Sequence, residues 1–254
     1  MSMPPLAEVP LDFVAVVALI FFMAGIVKGV TGMGLPTVSM GLLGAFMPAV
    51  AAASLLLVPS FITNIWQLLA GPSLLHLVKR LWPMMLCIVA GTIAGASLLT
   101  DGNQQWTTAA LGVTLVVYAG FSLLARQLSV PARLERFLSP AIGLATGIVT
   151  GATGIFVIPA VPYLQALGLS KDDLVQALGL SFTVSTVALA LGLARGGALQ
   201  ADGLVLSVLA VVPALLGMWA GQRLRDRISP ATFRRWFLIC LLLLGLELAL
   251  RSLW

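Results

Sequence analysis

Gly25-Ile-Val-Lys-Gly-Val-Thr-Gly32 and Gly147-Ile-Val-Thr-Gly-Ala-Thr-Gly154 are two copies of one pattern, G-I-V-[KT]-G-x-T-G, the second 122 residues after the first. Both lie inside strongly apolar chain. Glycine destabilises a helix by roughly 1 kcal/mol per residue, and proline removes a backbone donor. Gly29-Val-Thr-Gly-Met-Gly34 followed by Pro36, and Gly151-Ala-Thr-Gly154 followed by Pro159 and Pro162, therefore predict that an apolar helix breaks at each copy. A duplicated, broken segment points to two homologous halves around a central site.

The surrounding chain sets the solvent. It is 60% hydrophobic and only 9% charged, with a mean hydropathy of +1.08. Soluble domains carry roughly 25% charged residues, so this is an integral, all-α membrane protein embedded in a lipid bilayer. A crossing needs about 20 apolar residues, which allows about 8 to 10 transmembrane segments with short loops. The net charge of +5 comes from basic residues between segments, as the positive-inside rule requires, and argues against a nucleic-acid partner. Cys87 and Cys240 lie in apolar runs without a CxxC pair and are expected as buried free thiols. The single His76 is placed in a loop, so neither a metal site nor a cofactor is expected. Met1 to Pro10 carry no Lys or Arg, and the first apolar run is expected to stay in the mature protein.

Each half reads as five apolar segments, at 11–30, 35–47, 49–71, 80–99 and 106–125, then 138–152, 155–168, 173–194, 203–223 and 233–251. The first of each set is interrupted and the second is short, so each opening pair is expected to enter and return to one side. Lys79 and Arg80, then Arg126, Arg133 and Arg136, then Arg223, Arg225, Arg227, Arg234 and Arg235 mark the cytoplasmic side. Asp101, Arg195, Asp202 and Arg251 fall on the other. Three net crossings per half then make residues 1–125 and 140–254 two inverted repeats, joined by a cytoplasmic linker at 126–139, with both ends outside. Glycines four apart (Gly25/Gly29, Gly91/Gly95, Gly143/Gly147/Gly151, Gly217/Gly221) are expected to let helices approach closely. Trp66, Trp82, Trp106, Trp219, Trp236 and Trp254 read as an aromatic belt.

Irregular backbone at membrane depth survives only where protein or a watery cavity satisfies it. Unwound helix starts present N–H groups and a positive dipole end, which suits an anion. The candidate substrate site is therefore Gly29, Thr31, Gly32 and Gly34 with Gly151, Thr153 and Gly154, where Thr31 and Thr153 offer hydroxyl donors. The alternative is a kink without a ligand. Lys28 occupies the place that Thr150 takes in the second copy. A buried charge there costs on the order of 2.5–3.5 kcal/mol, so it pairs, snorkels or faces a cavity, and an anion-facing role is favoured. Ser60, Thr63, Asn64 and Gln67 share one helical face. The matching segment carries Gln176, Ser181, Thr183, Ser185 and Thr186, with Ser60-Phe61 and Ser181-Phe182 aligned if one residue is gapped. These faces read as substrate lining, with helix-to-helix glue as the alternative. Pro59 is expected to bend its helix, and Glu247 to sit at the exterior interface.

The two Gly motifs, Gly25-x-x-x-Gly-x-x-Gly-x-Gly34 and Gly147-x-x-x-Gly-x-x-Gly154, each precede a proline-containing short segment and a Ser/Thr/Asn-bearing helix. In this the chain resembles the sulfite exporter TauE/SafE family, from about Phe13 to Leu250. The resemblance implies a multi-pass transporter of the cell inner membrane, exporting sulfite, an organosulfonate such as sulfoacetate, or a related small anion. Alternating access driven by the membrane potential is the leading mechanism, since each charge is worth about 2.3 kcal/mol per 100 mV. An anion channel and a non-transporting assembly subunit are the alternatives, and a homo-oligomer is compatible with either. G-x-S-x-G, HExxH, CxxC and Walker A patterns are absent from the sequence, so an enzyme is not expected.

Overall fold

The expected break falls only at the last residues of each motif. The computed structural model describes residues 10–124, 129–199 and 201–251; Arg126, Trp254 and the first nine residues of the Met1–Pro10 stretch lie outside them. Helix α1 (Leu11–Thr31) runs unbroken through Gly25 and Gly29 and stops at Gly32, whose φ of 76° is left-handed. Helix α6 (Ala132–Thr153) stops in the same way at Gly154, φ 73°. Each terminating glycine donates its N–H four residues back, to the Lys28 and Thr150 carbonyls, a left-handed C-cap. Gly29 and Gly151 are therefore regular helix, which corrects their placement in irregular backbone.

Beyond Gly34, itself at φ 108°, α2 (Leu35–Gly44) turns back. Its counterpart α7 (Ala160–Ala166) is shorter, because Pro159 holds the residue before it out of the helical region. The first half continues with α3 (Ala49–Leu69), α4 (Leu74–Thr100) and α5 (Gln104–Leu124). The second continues with α8 (Lys171–Arg195), α9 (Ala201–Leu209), α10 (Val211–Arg225) and α11 (Pro230–Arg251). Among the described residues, α1, α3, α4, α5, α8 and the run Gly203–Arg225 are long and apolar enough to cross a membrane. Helices α6 and α11 have 22 residues each, about 33 Å at 1.5 Å per residue. The chain is a multi-pass membrane protein.

Some sequence boundaries move. Helix α4 begins at Leu74 and α6 at Ala132, so His76, Lys79, Arg80, Arg133 and Arg136 stand on helices rather than in loops. Apolar runs mark only the lipid-facing core of a span, whereas the helix itself continues into the polar interface. Cys87 is half-buried and Cys240 exposed, so the thiols are free but not both buried.

The glycines four apart set the helix packing. A Cβ added at Gly25 or Gly29 would lie 2.3 Å from the Ala214 or Met218 carbonyl, and one at Gly217 or Gly221 would lie 2.0 or 2.3 Å from the Phe22 or Ile26 carbonyl. The contacts advance in the same direction along both chains, so α1 and α10 are parallel and in backbone contact. Helices α6 and α4 pair identically, Gly147 against Ile88 and Gly91, Gly151 against Thr92 and Gly95. Helices α3 and α8 are antiparallel, with Asn64 at Thr186 and the Leu68 and Gly71 carbonyls at Gln176. Helices α5 and α11 also oppose each other, Gly112 facing Ala249 and Gly245 facing Leu115 and Val116.

The parallel pairing of α1 with α10 is thus repeated by α6 with α4, while α3 and α8, and α5 and α11, run antiparallel. Element ends hold the 122-residue offset without a gap: Thr31 and Thr153 close α1 and α6, and Ala49 and Lys171 open α3 and α8. Thr63 therefore corresponds to Ser185 and Asn64 to Thr186. The gapped match of Ser60 with Ser181 is not needed.

Candidate functional site

Lys28 sits three residues before the end of α1, only 4% exposed. Its Nζ donates to Thr63 Oγ1 at 3.1 Å and to Asn64 Oδ1. Thr63 can accept because its own proton goes to the Pro59 carbonyl, 2.7 Å away. Asn64 passes the connection on, its Nδ2 donating to Thr186 Oγ1 at 3.3 Å, while Thr186 donates to the Phe182 carbonyl at 2.7 Å. One hydrogen-bonded run therefore joins α1, α3 and α8. It crosses between Asn64 and Thr186, which stand 122 residues apart, the offset of the two Gly motifs.

The electrostatics are lopsided. Among the described residues, Lys28 is the one charged side chain in the buried set. Its two partners are neutral, and an ammonium has three donors. The two helices that this run joins to α1 also carry hydroxyls without partners. The Oγ atoms of Ser60 on α3 and of Ser181 and Ser185 on α8 are buried and make no hydrogen bond. Ser60 stands one turn before Asn64, and Ser185 adjoins Thr186 with Ser181 a turn earlier. A buried hydroxyl left unpaired costs about 1–3 kcal/mol, a cost that an acceptor-rich ligand would remove.

The two halves are not equal here. Thr150 stands where Lys28 does, but its short side chain donates back to the Thr146 carbonyl at 2.7 Å. Ser185 consequently lacks the partner that Lys28 gives to Thr63.

Other expected site residues are occupied elsewhere. Thr31 and Thr153 donate to the carbonyls four residues back, at 2.8 and 2.7 Å, and accept from the Met33 and Ile155 N–H groups, both at 3.3 Å. They stabilise the helix breaks instead of presenting donors to an anion. Thr183 likewise bonds back to the Gly179 carbonyl at 2.7 Å. Gly29 and Gly151 are filled by the backbones of α10 and α4, and Gly34 abuts Val27 and Phe237. Gly154 faces Met40 and Ala53. Gly32 stays connected to the cluster, because Gln67 Nε2 donates to its carbonyl at 2.9 Å. Gln176 serves the turn after α3, taking the Ser73 N–H at 2.8 Å and donating to the Leu68 and Gly71 carbonyls, both at 2.7 Å.

Ser207 on α9 escaped the sequence reading. Pro59 has no N–H, which leaves the Leu55 carbonyl inside α3 without its usual partner. Ser207 Oγ donates to that carbonyl at 2.8 Å and accepts the Val58 N–H at 3.1 Å. The only sequence signal was the proline itself, since no local pattern identifies a partner 152 residues away.

A sequence profile described as Sulfite exporter TauE/SafE matches residues 17–248. No curated protein and no solved structure matches the chain.

Proposed function

The chain belongs to the sulfite exporter TauE/SafE family, membrane transporters of sulfite and related sulfur-containing anions, and we propose that it exports sulfite or an organosulfonate across the inner membrane by alternating access. The anion is held where α1, α3 and α8 meet, by Lys28 with the hydroxyls of Ser60, Ser181 and Ser185. The observation that carries this is a buried ammonium without a carboxylate partner, beside buried hydroxyls that lack acceptors. The Lys28 ammonium and the serine hydroxyls can donate to an oxyanion, and the one acceptor left unpaired beside them is Gln67 Oε1. The site performs no bond chemistry, and the protein acts as a transporter rather than an enzyme.

The mechanism follows from the inverted arrangement. In an inverted repeat the two halves are related by an axis in the membrane plane. Asn64 and Thr186 are equivalents that touch, so they lie near that axis and near the bilayer centre. Lys28, bonded to Asn64, is then at mid-depth and not snorkelling to an interface. Helix α2 returns from the end of α1, so the opening pair makes no net crossing. Each half then crosses three times, and the cytoplasmic side is the one bearing Arg223, Arg225, Arg227, Arg234 and Arg235. The second repeat starts with α6 at Ala132 and takes in part of the 126–139 stretch. The cluster is buried, so anion entry and exit require one half to rock against the other. The negative interior drives the anion out.

The test is sulfite flux across proteoliposomes under an imposed potential. Saturable flux that follows the potential supports the carrier. Single-channel current would replace the carrier with a pore, and no flux from folded protein would remove the substrate.

A further inference from the structure

The charge at the site also sets the charge of its ligand. Resting on the reading of Lys28 as the anion's contact, we infer that the site takes one singly charged oxyanion, R–SO3− or sulfite in its HSO3− form, and refuses dianions such as sulfate, unprotonated SO3²− and sulfoacetate.

The argument is electrostatic. The cost of moving an ion out of water grows with the square of its charge, and a low-dielectric site recovers it only by close neutralisation. With Lys28 charged, the empty site holds +1. A monoanion brings it to zero, whereas a dianion leaves −1 after a far larger desolvation cost. Among the described residues no second buried cation is available to absorb that excess. Thr150 stands at the one equivalent position, buried and neutral.

The elements packed against α1 supply none either. Helices α2 and α3 contain no titratable residue. The titratable side chains of α10 and α11 (Arg223, Arg225, Arg234, Arg235, Cys240, Glu247 and Arg251) are exposed or half-buried. The same holds on α8, where Lys171, Asp172, Asp173 and Arg195 lie at the helix ends, exposed or half-buried. The remaining donors are neutral: Ser60, Ser181 and Ser185 can bond oxygens without adding charge. A sulfonate needs one charge matched and its oxygens bonded, which is what this set provides.

Sulfite makes the idea testable, because HSO3− loses its proton near neutral pH whereas methanesulfonate stays a monoanion throughout. Proteoliposomes carrying the full chain are assayed for both anions from mildly acidic to mildly alkaline pH, with sulfate and sulfoacetate as competitors. Methanesulfonate flux reports any titration of the protein itself. Relative to it, sulfite flux should fall about tenfold per pH unit once HSO3− is the minor form, and neither dianion should compete. Level sulfite flux, or competition by sulfoacetate as strong as by methanesulfonate, would overturn the inference while leaving the transport reading intact. A parallel fall of both fluxes would put the titration on the protein and overturn it too. Absence of flux for both monoanions would instead sink the reading on which it rests.

Discussion

Gly147→Ala tests the backbone contact between α4 and α6 in a way that predicts a sign. The added Cβ would lie 2.3 Å from the Ile88 carbonyl oxygen and 2.7 Å from the Thr92 nitrogen. Carbon–oxygen contacts ordinarily need about 3.3–3.6 Å, so the two helices must separate by about 1 Å. Neither obstacle is a flexible side-chain end that could swing away. Overpacking of this kind costs about 1–3 kcal/mol, and the strain spreads to Gly91 and Gly151 along the same seam. Gly120→Ala on α5 is the control, because an added Cβ there meets nothing within 4 Å. It gains helix propensity worth up to about 1 kcal/mol. The assay is thermal unfolding of each purified variant in one detergent, scored by the fraction that stays monodisperse. Gly147→Ala should lower the midpoint and Gly120→Ala should leave it or raise it. Equal behaviour of the two variants would refute the parallel backbone contact.

Ser207→Ala removes the proton given to the Leu55 carbonyl, and should lower the unfolding midpoint by the equivalent of about 0.6–1.7 kcal/mol with transport retained; an unchanged midpoint would show that water or a shifted helix serves that carbonyl. Arg80 and Glu135 form a two-pronged pair at 2.6 and 2.8 Å between α4 and α6. A double-mutant cycle with Arg80→Gln and Glu135→Gln should give a coupling of about 1 kcal/mol that shrinks with salt, and zero coupling at low salt would contradict the geometry.

The breaks were legible because glycine clusters and prolines act locally: α1 ends at Thr31 and α6 at Thr153, inside the quoted motifs. The glycines four apart were legible as packing surfaces for the same reason. Which helix each one meets was not, since the parallel pairing of α1 with α10 joins residues nearly two hundred apart. The starts of α4 and α6 were missed because charged first turns look like loops to a hydropathy reading. In the site, Lys28, Ser60, Thr63, Asn64, Ser181 and Ser185 stood out as polar residues in apolar chain. Thr31, Thr153 and Thr183 looked the same from sequence, and only the geometry reveals that their hydroxyls are spent on their own backbone. Ser207 was invisible because its role is defined by a proline on a distant helix.

The central claim is that Lys28 supplies the charge that binds the anion. Lys28→Met keeps the length and apolar bulk of the side chain, removes the ammonium, and leaves Thr63 and Asn64 in place. Measured in proteoliposomes with thermal unfolding as the folding check, this variant should unfold near the wild-type midpoint yet lose saturable uptake of methanesulfonate and of sulfite. Wild-type flux with wild-type affinity in the folded variant would contradict the account.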